Sequence, residues 1–228
     1  MLEIAVGTGN PHKLEEIRAI LAGLDVRLRS LAELGVGDAA LEDRPTLEGN
    51  AARKALFAAE RTGLLAIADD TGLEVDALGG EPGVLSARWS GPGATYADNN
   101  RKLLAALEGV RGPARSATFR CVMAAARPAG DGEPGEDGTR AVLLFTVEGR
   151  CRGEIATGPR GEGGFGYDPL FVVEGLGRAF AELAPDEKNR LSHRARALGR
   201  LRERLAGLTG PSPPAAPAPP AAPIRLRS

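Results

Sequence analysis

Cysteine is almost missing from the chain: Cys121 and Cys151 are the only two in 228 residues, and both fall in strand-like stretches. A disulfide framework is therefore excluded, and two buried free thiols are expected. Long apolar runs are absent as well, since nothing approaches the roughly 20 residues that cross a bilayer. The start, Met1-Leu2-Glu3-Ile4, has no basic segment leading into an apolar one, so no secretory leader is expected and the protein reads as cytoplasmic, with no membrane partner. Excess charge of either sign is missing too. A formal net charge of -1 supplies no broad basic field for DNA or RNA, so no nucleic-acid partner is expected, although a local basic cleft remains compatible with a small anion.

Lysine is the other scarcity. Only Lys13, Lys54, Lys102 and Lys188 occur among 29 basic residues, and the remainder are arginine. An ammonium is a compact point charge and a guanidinium a planar fork, so each lysine in an arginine-rich chain is a marked choice. Lys102 falls on what should be the solvated face of a helix; the other three fall in polar segments of interest.

What is present describes a globular α/β protein. Hydrophobic residues make up 43% and charged residues 26%, and the length suits one domain. Residues 2–7 read as a buried strand, followed by a helix with Leu14, Ile17, Ile20 and Leu21 on one face. A second strand is expected over 25–31, an alanine-rich helix over 46–61, a short strand over 64–68 that stops at Asp69-Asp70-Thr71-Gly72, and a further alternating stretch over 73–78. A helix over 96–107 precedes two long strands, 116–126 and 141–154, joined by a Gly/Glu/Asp/Pro-rich loop expected to be a mobile hairpin tip. Strand returns over 167–173, and the last helix, 192–208, carries Leu198, Leu201, Leu205 and Leu208 on one stripe. From residue 209 to 228 the chain is Pro/Ala-rich and reads as a disordered tail. Strands interleaved with helices give an α/β fold in one domain over 1–208, its mixed sheet taking antiparallel strands from the long hairpin.

Four segments can carry chemistry. The first is Thr8-Gly9-Asn10-Pro11-His12-Lys13, where a strand meets a helix N-terminus and free N–H groups suit an anion. It lacks the pattern of a Walker A loop, and ordinary capping with Lys13 in solvent fits it as well. The second is the Asp69-Asp70 pair, able to bind a divalent cation or act on water; since neighbours in an extended segment point opposite ways, one should face a cleft while the other braces the loop. An Asx-type turn is the alternative. The third is Glu42 with Asn50 and Lys54, the latter two sharing a helix face that could equally be solvated. The fourth joins Gly161 to Asp168, with Phe165 or Tyr167 available to stack on a base, to the donors Lys188, Ser192, His193 and Arg194; a capping histidine with solvated neighbours is the alternative.

Taken in order, Thr8-Gly9-Asn10-x-x-Lys13, Glu42, Asn50-Ala51-x-x-Lys54, Asp69-Asp70-Thr71-Gly72-Leu73, Ser86-Ala87-Arg88-Trp89-Ser90-Gly91, Gly164-Phe165-Gly166-Tyr167-Asp168-Pro169 and Lys188 with Ser192-His193-Arg194 closely resemble the inosine/xanthosine triphosphate pyrophosphatase family over about residues 1–208. The resemblance implies a mixed, elongated, twisted sheet with flanking helices and a cleft between two lobes, a homodimer, and Mg²⁺ as cofactor, with hydrolysis of ITP, dITP or XTP to the monophosphate and pyrophosphate, clearing them from the nucleotide pool. It places triphosphate on Thr8, Gly9, Asn10, Pro11, His12 and Lys13. It makes Asp70 the general base or metal-bound carboxylate, Glu42 a second metal ligand, and Lys54 the residue that steadies phosphates. Thr71 would touch substrate, and Phe165, Gly166, Tyr167, Asp168, Lys188, His193 and Arg194 would enclose the base. Thr71 replaces a usual serine, Trp89 a usual tyrosine, and Gly49 a usual glutamate, which leaves metal binding to Glu42 and Asp70. A related enzyme with another base preference, or a nucleotide-binding protein without hydrolysis, shares these features.

Overall fold

The computed structural model describes residues 1–37 and 42–209. Of the expected tail only Thr209 falls within them, as the last helical residue; residues 210–228 and the side chain of Leu208 lie outside the described part.

Strand β1 (Leu2–Val6) is buried at Ile4, Ala5 and Val6 and pairs in parallel with β2 (Val26–Ser30). Between them runs α1 (Pro11–Leu21), started by Pro11 and capped by the Asn10 side chain, which accepts the backbone N–H of His12 and Lys13. Helix α2 (Leu47–Thr62), capped by Thr46, lays Ala51, Ala55, Ala58 and Ala59 against Ala66, Ala68, Ala124 and Ala126 of the sheet, small side chains that bring helix and sheet close together.

The central strand departs from expectation. Strand β3 runs unbroken over Leu65–Val75, so Asp69-Asp70-Thr71-Gly72 sits within a strand and not in a turn. The cause is its partner: β5 (Ser116–Pro128) pairs antiparallel from Ala66↔Ala126 to Val75↔Ala117 and satisfies the backbone that a turn would have left to itself. On the other edge, Gly72 admits β4 (Pro82–Gly83): a Cβ at position 72 would stand 2.5 Å from the Gly83 carbonyl oxygen. Strand β1 ends opposite Ile67, so the two aspartates lie just beyond the carboxyl end of the parallel part of the sheet, beside the 8–13 loop.

Helix α3 (Tyr96–Ala106) opens with a capping box between Thr95 and Asp98. Strand β6 (Ala141–Ile155) forms a long hairpin with β5 and pairs at its far end with β7 (Phe171–Val173), giving the order β2-β1-β3-β5-β6-β7 with β4 beside β3. The expected mobile tip of this hairpin is tied back: Asp137 forms ion pairs with Arg44 and Arg53 beside α2, and Arg140 N–H donates to Glu60. Tyr167 lies outside β7, and the expected single last helix is preceded by a separate short one: α4 (Pro185–Leu191) carries Lys188, and Ser192 breaks it from α5 (His193–Thr209). Ser192 Oγ accepts the Ala195 N–H, so the residue expected inside the helix instead caps it.

The sheet divides the core. One cluster lies under α2, a second under α1 and α5, and a third, aromatic one (Phe119, Phe171, Phe180, Trp89, Tyr167) gathers around α3 and β7 at the far end of the hairpin. The cleft opens where the first two meet the third, giving the mixed sheet expected from the pattern of elements and the two-lobed form implied by the resemblance.

Candidate active site

The alternation of β3 separates its two aspartates. Asp69 points toward α1 and α5 and is fully buried; its Oδ2 receives Lys13 Nζ at 3.0 Å, the Thr71 hydroxyl at 3.1 Å and Arg194 Nη2 at 3.3 Å. Asp70 points toward α2, where it receives Lys54 Nζ at 3.0 Å and Asn50 Nδ2 at 3.0 Å. Lys54 also donates to Glu42 at 2.7 Å, and Glu42 takes a further contact from Arg88 at 3.1 Å. Asn50 and Lys54 are buried, so the solvated-face alternative for this helix is set aside.

The two carboxyls differ in proton affinity. Burial works to raise Asp69, but Lys13, Arg194 and Lys54 outweigh it and hold it well below the usual carboxylate range. For Asp70 burial prevails: its carboxyl is pushed up, with the Glu42 charge adding to the rise, against the pull of Lys54 and Lys13. Lys54 stays charged, because Asp70, Asp69 and Glu42 outweigh its own burial. The structure thus pairs a braced Asp69 of lowered proton affinity with a more basic Asp70 lining the cleft.

The opposite wall is built from the glycine-rich loop and the last two helices. Asp168 closes that loop by accepting Phe165 N–H and Lys188 Nζ, both at 2.8 Å. Gly164 is required there: at φ 72°, a Cβ would meet Asp168 Oδ2 at 2.2 Å. Lys188 Nζ stands 4.7 Å above the Phe165 ring, and Arg194 lies 5.7 Å from it. Of the two rings offered for stacking, only Phe165 remains available; Tyr167 is packed into the aromatic cluster and donates its hydroxyl to Ser86 O at 3.0 Å. His193 is neither solvated nor a simple cap. It is buried and stacked on Phe119 at 4.5 Å, and its proton affinity falls well below the usual value, first through burial and then through Arg194 and Lys188.

The cleft brings together Asn10, Lys13, Glu42, Asp70, Thr71 and the 165–168, 188 and 193–194 groups. Thr8, Gly9 and Pro11 instead line an adjoining depression with Leu14 and Ser30, and His12 stacks outside the cleft on Phe165 at 5.3 Å. Thr8 Oγ1 accepts the Asn10 N–H, which fixes the loop. Lys102, expected in solvent, is exposed, yet its ammonium covers the Trp89 ring at 4.6 Å and donates to the Trp89 carbonyl.

Several site residues escaped the sequence reading. Glu16 on α1 binds Lys188 at 2.8 Å and pairs with Arg194, so it fixes both cations of the base-side wall. Its signal was its spacing, one helical turn after Lys13. Arg88 stands in a motif that carries the resemblance but was given no role, one arginine among many, and Tyr96 and Asn100 had no signal at all. Buried polar atoms without partners gather here too: among the described residues they are Asp69 Oδ1, His193 Nδ1, Arg194 Nε and Asn100 Oδ1, and Asn100 bonds the Gly166 carbonyl through its other end. Orphaned polar atoms are costly in a folded interior, and two of these belong to His193 and Arg194, which line the cleft, where a polar ligand could satisfy them.

Glu42 and Asp70 share the Lys54 ammonium and are hard oxygen donors, suited to a cation such as Mg²⁺. Among the described residues no group of three or more His, Cys, Asp or Glu forms a cage. A cation here would draw its other ligands from substrate and water, which is how Mg²⁺ commonly binds beside phosphates. Position 49 adds no carboxylate, and a side chain there would press on Arg44 Cβ at 2.9 Å.

The sequence profile of the Ham1 family matches residues 4–204. A dITP/XTP pyrophosphatase from Thermoanaerobacter sp. (strain X514) is 45% identical over 201 residues, 88% of this chain and 95% of that protein. One from Thioalkalivibrio sulfidiphilus is 46% identical over 206 residues, covering 90% of this chain and all, 100%, of the other. The solved structure of a HAM1 protein from Coxiella burnetii superposes with a TM-score of 0.77 at 41% identity, covering 91% of this chain and 100% of that one.

Proposed function

This chain belongs to the Ham1 family, and from that membership and the chemistry of its cleft we propose that it hydrolyses the purine triphosphates ITP, dITP and XTP to monophosphate and pyrophosphate. The observation that carries the reading is the division of the cleft: a cationic and carboxylate-bearing wall at Lys13, Lys54, Glu42 and Asp70 faces an aromatic and donor-rich wall at Phe165, Lys188 and Arg194. A polyanion fits the first and a flat oxo-purine the second.

In this reading Lys13 and Lys54 bind the phosphates and offset the charge that builds at phosphorus. Asp70 holds and accepts the proton of the attacking water, a task suited to a carboxyl whose proton affinity burial has raised. Asn50 keeps that carboxyl oriented through its bond to Oδ2. Mg²⁺, held by Glu42 and Asp70, would supply further charge neutralisation for the triphosphate. At the other end Phe165 stacks on the base while Lys188 and Arg194 offer donors to a 6-oxo group. A 6-amino base presents its own donors to them and leaves buried groups unpaired, which costs orders of magnitude in rate. Thr8, Gly9, Pro11 and His12 shape the phosphate loop, and Gly166, Tyr167 and Asp168 the base wall. The enzyme is further proposed to work as a cytoplasmic homodimer.

The test is turnover of ITP, dITP, XTP, ATP and GTP with Mg²⁺ and with chelator, products resolved by chromatography. Monophosphate and pyrophosphate from the oxo-purines, with ATP spared, is the expected result. Phosphate release in place of pyrophosphate, or equal use of ATP, would overturn the reading. Sedimentation of the purified protein checks the dimer.

A further inference from the structure

Successive residues of a helix point about 100° apart, and at the start of α1 this sends two neighbours to opposite walls of the cleft. Lys13 turns inward to Asp69, at 3.0 Å, on the phosphate side. His12 turns outward, and its exposed imidazole lies flat against the Phe165 ring, with centroids 5.3 Å apart and planes 15° from parallel. Offset rings attract at this separation. The backbone of His12 meanwhile belongs to the phosphate loop, its N–H donating to Asn10 Oδ1 at 3.0 Å.

Phe165 is a partition. It lines the cleft, and beyond it lies a second groove, between α1 and α4, bordered by His12, Phe180, Leu183 and Pro185 as well as by Phe165 itself. His12 lines that groove and not the cleft, so it backs the ring on the face turned away from the base. Tyr96, the other ring near Phe165 at 6.2 Å, stands on the cleft side. A ring beside an open groove can tilt away from a base stacked on it unless something stands behind it. We propose, on the nucleotide reading above, that His12 is a positioning residue for base recognition: its imidazole holds the inner face of Phe165 toward the purine, so that the loop gripping the triphosphate also sets the platform for the base. His12 thus serves the base wall, where the resemblance had placed it on the phosphates.

The experiment measures kcat and KM on ITP, and inhibition by IMP and by inorganic tripolyphosphate, for the parent, His12→Ala and His12→Phe, with a melting curve for each. IMP carries the base, whereas tripolyphosphate carries charge alone. His12→Ala should raise the KM for ITP and the IMP inhibition constant together, each roughly two- to tenfold, the worth of one aromatic pair, with kcat and tripolyphosphate inhibition little changed. His12→Phe keeps a flat ring behind Phe165 and should recover most of the loss. Unchanged IMP inhibition in His12→Ala overturns the inference. So does an equal weakening of tripolyphosphate, which would make His12 a phosphate ligand, or a His12→Phe variant no better than His12→Ala. A parent that releases no pyrophosphate from ITP would instead bring down the proposed function itself, an outcome the parent assay shows before any variant is measured.

Discussion

Asp69 and Asp70 are sequence neighbours with opposite surroundings, and substituting each should fail in a different way. Asp70→Asn keeps shape and its contact with Asn50 but loses the charge that faces the cleft. Turnover should fall by about two decades or more, with the melting temperature little changed. Asp69→Asn takes the counter-ion from half-buried Lys13 and one of two carboxylate partners from buried Arg194, which keeps Glu16. Breaking such a pair costs about 3 kcal/mol or more, so urea unfolding should show the larger loss of stability in this variant. Lys13→Arg and Lys54→Arg should each lose about one to two decades of kcat/KM on ITP, because a guanidinium cannot occupy the place of an enclosed ammonium. Lys102→Arg should match the parent, since a guanidinium can still cover the Trp89 ring. At this scale the scarcity of lysine made Lys13, Lys54 and Lys188 legible in the sequence. Glu16, Arg88 and Tyr96 were not, because a carboxylate on a helix, one arginine among many and an aromatic at a helix start acquire meaning only from what folds against them.

Among the elements, β3 shows where local pattern stops being informative. Asp-Asp-Thr-Gly is turn chemistry by composition, and only the long antiparallel partner β5, contributed from far along the chain, makes it strand. The alternation of side chains along β3 was nonetheless readable, and it correctly sent the two aspartates to opposite faces. The break between α4 and α5 was less visible, since Ser192 suits a helix interior poorly and a cap well but the apolar stripe begins only after it. Gly72 tests the account of β3. Gly72→Ala drives a Cβ against the Gly83 carbonyl and should cost about 1–3 kcal/mol, read as a drop in melting temperature. Gly158→Ala, with open space around its site, serves as the control and should leave the melting curve in place.

At the scale of the whole molecule, acidity should loosen the fold through His193. Arg194, Lys188 and Lys13 face this ring as cations and Asp69 as an anion, and burial leads the effects that keep it neutral. The unfolded chain takes up a proton near the ordinary value of about 6.5, which the folded chain refuses. The unfolded state therefore binds more protons below that pH, and stability falls as the medium is acidified. Melting temperatures measured between about pH 8 and pH 5.5 should fall for the parent and fall less for His193→Asn. The division into two lobes was legible from the sequence through family resemblance, whereas the burial of this histidine against Phe119 was not, because the two residues meet only once β5 and α5 are packed. The two sulfurs allow the lobes to be timed separately. Cys121 lies in the cluster beneath α1 and α5, its thiol pushed up to about 12 by burial, and Cys151 lies in the aromatic cluster, its thiol also raised by burial. Neither sulfur offers a thiolate to an alkylating reagent while its lobe is closed, so brief labelling pulses followed by peptide mass analysis would date the opening of each half, with no probe added to the chain.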